Sequence, residues 1–374
     1  MKIIIMYATA GHGHKKAAEY LYAELIKRKE AGAGIDVLNV DLFDKTPPSF
    51  PKWYGGSYKY LVSKTPWLWW FGYNVSNIKW LAPLLRPLRR VYNDLNARIL
   101  EAFLIREDAD ILLFAHFFPP EVATSLRRRG KIRATIVTLI TDCFPHFTWI
   151  NPGTDYYLVM SEASRRAVAA WGIPEERVKP FGLPVGEQFL PSGRKQEIRR
   201  SMGLQPDALT LLLTSGSFGI GPTEKILDAL AHFNGRAQAI VVCGTNKGLY
   251  EKLSEGSFPY PVRVCGFVDN MHELMEASDL IVAKTGGLTT TESLTKEVPL
   301  VISRPIPGQE AGNARYLMEH NCSFPLKRAE DIVPLVDRVL NDPDCIAEKI
   351  RAIKTIRKPQ ATKDIVDFVL GLGN

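Results

Sequence analysis

The chain has 374 residues, 46% of them hydrophobic and 23% charged, a balance that excludes disorder, collagen and a coiled coil and suits one large domain or two ordinary ones. Its apolar runs, such as Ile111–Phe114 and Pro66–Phe71, are far shorter than the roughly 18 residues a transmembrane helix needs. The net charge is +7, and the excess lies in the first half: residues 1–190 hold 25 Lys and Arg against 18 Asp and Glu, whereas residues 191–374 hold 22 of each.

From Met1 the chain reaches Gly11-His12-Gly13-His14 too soon for a signal peptide, so a cytoplasmic location is expected. Both halves alternate short apolar runs with helical patterns, the signature of βαβ units and a parallel sheet, twice over. Strands are expected near 3–8, 35–40, 110–115, 134–140 and 155–160, with a helix from His14 to about Glu30 after the first. Residues 45–93 break the alternation: they hold eight basic residues, no acidic one, and Trp53, Trp67, Trp69, Trp70 and Trp80, five of the seven tryptophans. A helix around Tyr54–Ser63 and another near 89–106 are expected there. A Gly, Pro and Ser stretch at 182–193 reads as a linker. Further strands follow near 209–214, 238–242, 261–265, 279–283 and 299–303, and the chain is helical from Leu340 onward with a break at Pro359. The domains therefore fall at 1–188 and 189–358, with a terminal helix at 359–374 able to pack back on the first. The five cysteines are far apart and form no CxxC pair, which points to buried small hydrophobes rather than disulfides or a zinc site.

The first strand runs into Thr9-Ala10-Gly11-His12-Gly13-His14, where a helix begins. Glycines at such a turn let a ligand approach the backbone, and the helix N-terminus offers unpaired N–H groups and partial positive charge. The same letters also make a tight turn that binds nothing. His14 falls at the carboxyl end of a strand, where doubly wound sheets open their ligand crevice, and a helix N-terminus disfavours its imidazolium form, leaving a neutral base at pH 7. His116 and His146 follow two later strands, so the three are expected on one sheet edge. A metal site built on His12 and His14 needs an acidic ligand at a later strand end; Asp142 is the nearest, and reads rather as orienting a neighbouring histidine or an acceptor hydroxyl. Asp108-Ala109-Asp110 spells a metal-binding DxD but precedes a strand instead of following one, so it reads as a solvated turn.

In the second half, Thr214-Ser215-Gly216-Ser217 joins a strand to a helix, and Lys284-Thr285-Gly286-Gly287-Leu288-Thr289-Thr290-Thr291-Glu292 adds a second such turn with a Gly pair, a hydroxyl cluster and a carboxylate. Two N–H-rich turns can hold a diphosphate without a metal, and a carboxylate beside them can accept both hydroxyls of a ribose. Glu292 is equally well read as an acid favoured by the helix dipole. The aromatic, basic stretch at 45–93, with the cluster Arg127-Arg128-Arg129-Gly130-Lys131-Ile132-Arg133, suits a membrane-docking face, since tryptophan favours the headgroup level and basic side chains favour anionic lipid. The competing reading puts those aromatics in the core.

The run from Gly266-Phe267-Val268-Asp269-Asn270-Met271 through Lys284–Glu292 to Pro305-Ile306-Pro307-Gly308-Gln309-Glu310-Ala311-Gly312-Asn313-Ala314 resembles the donor-binding half of diacylglycerol glycosyltransferases, the bacterial processive glucosyltransferases and plant monogalactosyldiacylglycerol synthases. The peptidoglycan transferases that add GlcNAc to lipid I are more distant relatives. Gly11–Glu19 is similar to the family's Gly-x-Gly-His turn, Thr141-Asp142-Cys143-Phe144-Pro145-His146-Phe147-Thr148-Trp149 to its Thr-Asp, His and Trp segment, and Gly182-Leu183-Pro184-Val185 to its interdomain junction.

The resemblance implies an α/β protein of the GT-B type, two Rossmann-like domains facing across a cleft, with acceptor in the first and UDP-sugar in the second. It implies inversion at the anomeric carbon with no metal or other cofactor. By position, His14 is the expected general base, with Asp142 and His146 in the catalytic group. Gly216, Ser217, Gly286, Gly287 and Leu288 would cradle the diphosphate, Phe267 and Val268 meet the uracil, Glu292 bind the ribose, and Gln309 and Glu310 read the sugar hydroxyls. Gly13, Trp149, Trp53, Trp67, Trp69, Trp70, Arg127 and Arg128 fall on the acceptor and membrane side. His12 stands where relatives usually carry Gly or Asn, and competes with His14 for the base role. The expected partners are a UDP-sugar, diacylglycerol and anionic membrane lipids, with no nucleic acid, and the expected place is peripheral, on the cytoplasmic face of a membrane. Alternatives are a UDP-GlcNAc transferase acting on an undecaprenyl-linked acceptor, a hydrolysing UDP-sugar epimerase, and a UDP-sugar-sensing binding protein.

Overall fold

The computed structural model describes residues 1–9, 12–51, 56, 60–61, 64–78, 96–214, 221–303, 305–306 and 308–373. The chain divides into two compact units, one made of Met1–Val185, Ile306–Gly312 and Gln360–Asn374, the other of Gly186–Pro305 and Asn313–Pro359. Each is built on its own six-stranded parallel sheet in the Rossmann manner.

In the first unit the strands are β1 (Lys2–Tyr7), β2 (Asp36–Asp41), β3 (Ile111–Phe114), β4 (Thr135–Leu139), β5 (Tyr156–Leu158) and β6 (Val178–Lys179), in the order β2-β1-β3-β4-β5-β6. Helices α1 (His12–Glu30), α2 (Pro66–Ser76), α3 (Arg98–Glu107), α4 (Pro119–Arg128) and α5 (Glu162–Ala169) connect them. A parallel sheet is covered on both faces, so its inner strands must be apolar throughout rather than alternating. Ile3, Ile4, Ile5 and Met6 of β1, and Leu113 and Phe114 of β3, are all fully buried, and the two strands pair with Ile3 beside Ile111 and Ile5 beside Leu113.

The second unit carries β7 (Leu209–Thr214), β8 (Ala237–Val242), β9 (Val262–Cys265), β10 (Leu280–Ala283), β11 (Leu300–Ser303) and β12 (Ser323–Leu326), in the order β12-β11-β10-β7-β8-β9. Its helices are α6 (Lys195–Ser201), α7 (Thr223–Leu230), α8 (Lys247–Glu255), α9 (Met271–Glu276), α10 (Gly287–Lys296), α11 (Gln309–Glu319), α12 (Ile332–Asn341) and α13 (Asp344–Ile356). The last helix, α14 (Ala361–Gly371), belongs to the first unit and packs on α1. Arg28 meets Asp367 there at 2.9 Å.

Two edge strands escape the sequence reading. β6 is only two residues long, and β12 contains Pro325, which demotes the run as a strand. Pro325 is exposed on an edge strand, where no second ladder needs its missing N–H. The helix expected at 54–63 falls largely outside the described residues, of which 56, 60 and 61 are helical; α2 follows it at Pro66–Ser76. Of the helix expected near 89–106, the described part is α3.

The Lys296 ammonium at the end of α10 bonds the Glu276 carboxylate at 2.8 Å, and the Gln188 and Leu190 carbonyls at 3.1 and 2.8 Å. Burial raises the Glu276 carboxyl, but Lys296 and the Ser192 and Gly193 N–H groups outweigh it and hold the carboxyl below its usual range. Lys296→Met leaves that carboxylate buried without its cation, and should cost about 3–5 kcal/mol in urea unfolding of the whole chain. A loss below about 1 kcal/mol would show that the pair contributes no more than a surface one.

Candidate active site

In the first sheet β1 and β3 are neighbours although β2 lies between them in sequence. Their connections leave on opposite faces, so a crevice opens at their carboxyl ends. The histidines that follow these two strands meet there. His14, in the first turn of α1, and His116, just past β3, have ring centroids 5.7 Å apart and planes at 83°. Thr141, after β4, places its Oγ1 3.3 Å from His14 Nδ1, and the Trp149 ring lies 5.9 Å from His14. His116 is fixed in turn: it stacks on Phe117 at 4.3 Å, and its Nδ1 accepts the Phe118 N–H at 3.3 Å.

Burial pushes the His14 imidazole from 6.5 down to about 4, against a backbone hydrogen bond at Ala115 that favours the charged form. Burial, and then the neighbouring His14, also holds His116 well below its ordinary value. A neutral imidazole at a strand end can accept a proton from a hydroxyl at pH 7. The turn that delivers His14 is pinned at its start, where the Thr9 N–H and hydroxyl both donate to the Asp41 carboxylate, which also accepts the Phe43 N–H at 3.0 Å. Gly13 is half-buried in the same first turn. The His12 side chain lies outside the described residues, and with it the choice between the two histidines.

Asp142 is buried and faces Tyr73 of α2, whose phenol is raised by burial and then by the Asp142 charge. His146 has Thr148 Oγ1 3.0 Å from Nδ1 and Ser76 Oγ 3.0 Å from Nε2. Trp149 is buried beside His14 rather than on the surface. On α2, Trp67 is 69% and Trp70 52% exposed, while Trp69 is half-buried; Trp53 lies outside the described residues. Arg127 needs correction as a lipid-facing cation: its guanidinium bonds the Asp155 carboxylate and the Gly153 and Ala134 carbonyls, clamping the start of β4 to the turn before β5. Arg128, Lys131 and Arg133 are exposed.

The second sheet reverses its order between β10 and β7. A shallow recess opens at those strand ends, lined by Thr214, Thr223, Lys284 and Ser303 among others. Helix α10 starts there with Gly286 as its N-cap, a residue with no side chain to cap the first N–H groups; the Asn313 amide holds the turn by donating to the Thr285 carbonyl at 2.8 Å. Gly287 and Leu288 are half-buried in the first turn, and Glu292 is buried further along the helix. Phe267 is 56% exposed past β9, with Val268 half-buried beside it. Gly216 and Ser217 lie outside the described residues, as does the Gln309 side chain. The Glu310 carboxylate accepts the Ile306 N–H at 2.7 Å, within the segment that groups with the first unit.

The sequence reading quotes Thr141 within the family's segment and notes His116 at a strand end, but gives neither a role. The signal for both is their place directly after a central strand. Among the described residues no group of three His, Cys, Asp or Glu side chains is placed to hold a metal ion, and no helix is long and apolar enough to cross a membrane.

The monogalactosyldiacylglycerol synthase family matches residues 14–185, and the C-terminal domain of glycosyltransferase family 28 matches residues 210–365. The first half thus matches a monogalactosyldiacylglycerol synthase domain and the second a glycosyltransferase family 28 C-terminal domain, and nearly the whole chain is similar to diacylglycerol glycosyltransferases. A probable chloroplastic monogalactosyldiacylglycerol synthase of Glycine max is 33% identical over 90% of this chain and 64% of its own length, so the chain spans under two thirds of that plant relative. A processive diacylglycerol beta-glucosyltransferase of Staphylococcus haemolyticus is 28% identical over 91% of this chain and 85% of its own. Among solved structures, MurG of Acinetobacter baumannii shares the fold, with a TM-score of 0.65 over 98% of both chains at 14% identity.

The depressed His14 makes a prediction with a definite sign. Unfolded histidine takes up its proton near 6.5 and folded His14 only near 4, so between those values the unfolded state binds more protons and stability falls as pH falls. The urea midpoint should therefore drop between about pH 6.5 and 4.5, and drop less in His14→Phe. Equal slopes in the two proteins would take His14 out of the account.

Proposed function

We propose that this protein is a diacylglycerol glycosyltransferase, moving a hexose, glucose or galactose, from a UDP-sugar to the hydroxyl of diacylglycerol at a membrane surface, with inversion at the anomeric carbon. The observation that carries the reading is the neutral His14 imidazole at the switch point of the first sheet, in a chain whose relatives are named for this transfer. His14 takes the proton of the acceptor hydroxyl as its oxygen bonds to the anomeric carbon, and the bond from that carbon to the UDP oxygen breaks in the same displacement. The departing diphosphate carries negative charge, which fixed N–H dipoles at the start of α10 would meet, together with Gly216 and Ser217, which follow β7 in the sequence. Glu292 would hold the ribose, Phe267 and Val268 the uracil, and Gln309 and Glu310 the sugar. None of these steps requires a metal or another cofactor.

His14→Ala should lower transfer by roughly 100-fold or more while leaving UDP affinity nearly unchanged, and transfer by the unmodified protein should survive EDTA. Activity retained in His14→Ala but lost in His12→Ala would move the base to His12. Loss on chelation, restored by a divalent ion, would replace the metal-free mechanism.

The membrane side of the proposal rests on α2. Its sequence, PWLWWFGYNVS, has no charged residue, and Trp67, Leu68, Trp70 and Phe71 are all exposed. Exposure of Trp67 and Trp70 favours docking over a core role, and the eight basic residues of 45–93 suit anionic lipid. We expect the protein to bind phosphatidylglycerol vesicles more weakly as salt rises, and Trp67→Ser with Trp70→Ser to reduce that binding without changing the melting temperature. Equal binding to neutral and anionic vesicles at every salt concentration would remove the electrostatic part.

A further inference from the structure

His146 follows β4 as a catalytic histidine would, yet its surroundings use up both ring nitrogens. The Thr148 N–H points at Nδ1 from 3.4 Å, so Nδ1 is the acceptor and the ring proton sits on Nε2. The Ser76 hydroxyl donates to the Gly72 carbonyl at 2.6 Å, which leaves its oxygen to accept from His146 Nε2 at 3.0 Å, alongside the Tyr73 carbonyl at 3.1 Å. One imidazole thus caps the turn Phe147–Trp149 through Nδ1 and binds the last turn of α2 through Nε2. A second bond runs parallel to it: the Phe147 N–H donates to Asn77 Oδ1, at the C-cap of α2, at 2.8 Å. The Tyr73 ring lies over His146 at 4.4 Å.

We propose that His146 is a positioning residue, the latch that holds the exposed aromatic helix α2 to the loop carrying Asp142 and Trp149. The path is short and every step is a named contact. α2 bears Trp67, Trp70 and Phe71 outward and bonds His146 and Phe147 at its other end. The turn that His146 caps ends in Trp149, whose ring stands 5.9 Å from His14. A helix seated in lipid therefore fixes one wall of the base's surroundings, and loosening the latch loosens that wall. This rests on the reading of α2 as the membrane-facing element and of His14 as the base.

The test compares His146→Ala, His146→Gln and Asn77→Ala in the full chain. Gln keeps an N–H donor near the Nε2 position, and Asn77→Ala breaks the parallel bond without touching the imidazole. We expect His146→Ala and Asn77→Ala to bind phosphatidylglycerol vesicles and UDP as the unmodified protein does. Both should lose about tenfold in kcat/KM on vesicle-borne diacylglycerol, with Gln recovering most of the loss and the acid limb of the pH profile unmoved. Hydrogen exchange, with no lipid or substrate present, should rise at residues 66–77 and 146–149 in both Ala variants and leave β1 and β3 protected. A His146→Gln protein as inactive as His146→Ala, with its acid limb displaced, would make His146 a proton carrier and overturn the proposal. Unchanged exchange at 66–77 and 146–149 would also overturn it. If the unmodified protein transfers no hexose, the proposed reaction fails while exchange still decides the latch; if His146→Ala does not fold, the Gln and Asn77 variants carry the same comparison.

Discussion

Parallel strands cannot be joined by a tight turn, and each crossover must pass over one face of the sheet. Where two adjacent strands send their crossovers to opposite faces, the helices part and leave backbone and side chains at the strand ends exposed to a ligand. The first sheet does this between β1 and β3, the second between β10 and β7. His14 and His116 are brought to 5.7 Å because each follows one of the two central strands of the first reversal. Gly286 and the start of α10 occupy the corresponding place in the second.

That geometry also sets the electrostatics. The buried positions of the strands beneath are mostly apolar, so a histidine at their ends is desolvated on one side, and the charged imidazolium is what burial penalises. For His116 the His14 imidazole 5.7 Å away adds to the effect, since a second charge beside it would be repelled. Both imidazoles are thereby held in the neutral form at pH 7. Asp142, the nearest acid by sequence, faces Tyr73 of α2, and the Asp41 carboxylate is occupied by Thr9 and Phe43.

How much of this the sequence discloses follows from the range of the forces involved. The inner strands are legible because burial on both faces writes itself as a continuous apolar run, as in Ile3-Ile4-Ile5. The histidines at strand ends are legible for the same reason, once the strands are placed. What is hidden is pairing at a distance. Arg127 stands in a run of three arginines and reads as part of a membrane-docking face, yet it bonds Asp155, 28 residues later. His146 reads as a catalytic group because it follows a strand, and its bonds to Ser76 lie across 70 residues. The aromatic stretch declares an insertion by composition, but its lack of polar alternation gives no helical period from which to place α2. β12 is hidden by Pro325, whose edge position only the assembled sheet reveals.

The same distinction explains where the chain passes from one unit to the other. Val185 is held on both sides of its backbone by a single hydroxyl: Thr362 Oγ1 accepts its N–H at 2.8 Å and donates to its carbonyl at 2.7 Å. Three residues later the bonds belong to a different set, with the Gln188 and Leu190 carbonyls on Lys296, and the Ser192 and Gly193 N–H groups on Glu276. A Gly-Pro-rich linker would otherwise leave these backbone groups to water. Here a hydroxyl from the terminal helix and a buried ion pair satisfy them, so only Gly186 and Glu187 stand between the two sets. The buried pair is better understood through this role than through net stability, because desolvating two charges offsets most of their attraction. Replacing both with apolar groups would leave the core of α9 and α10 intact and strip the linker of its partners.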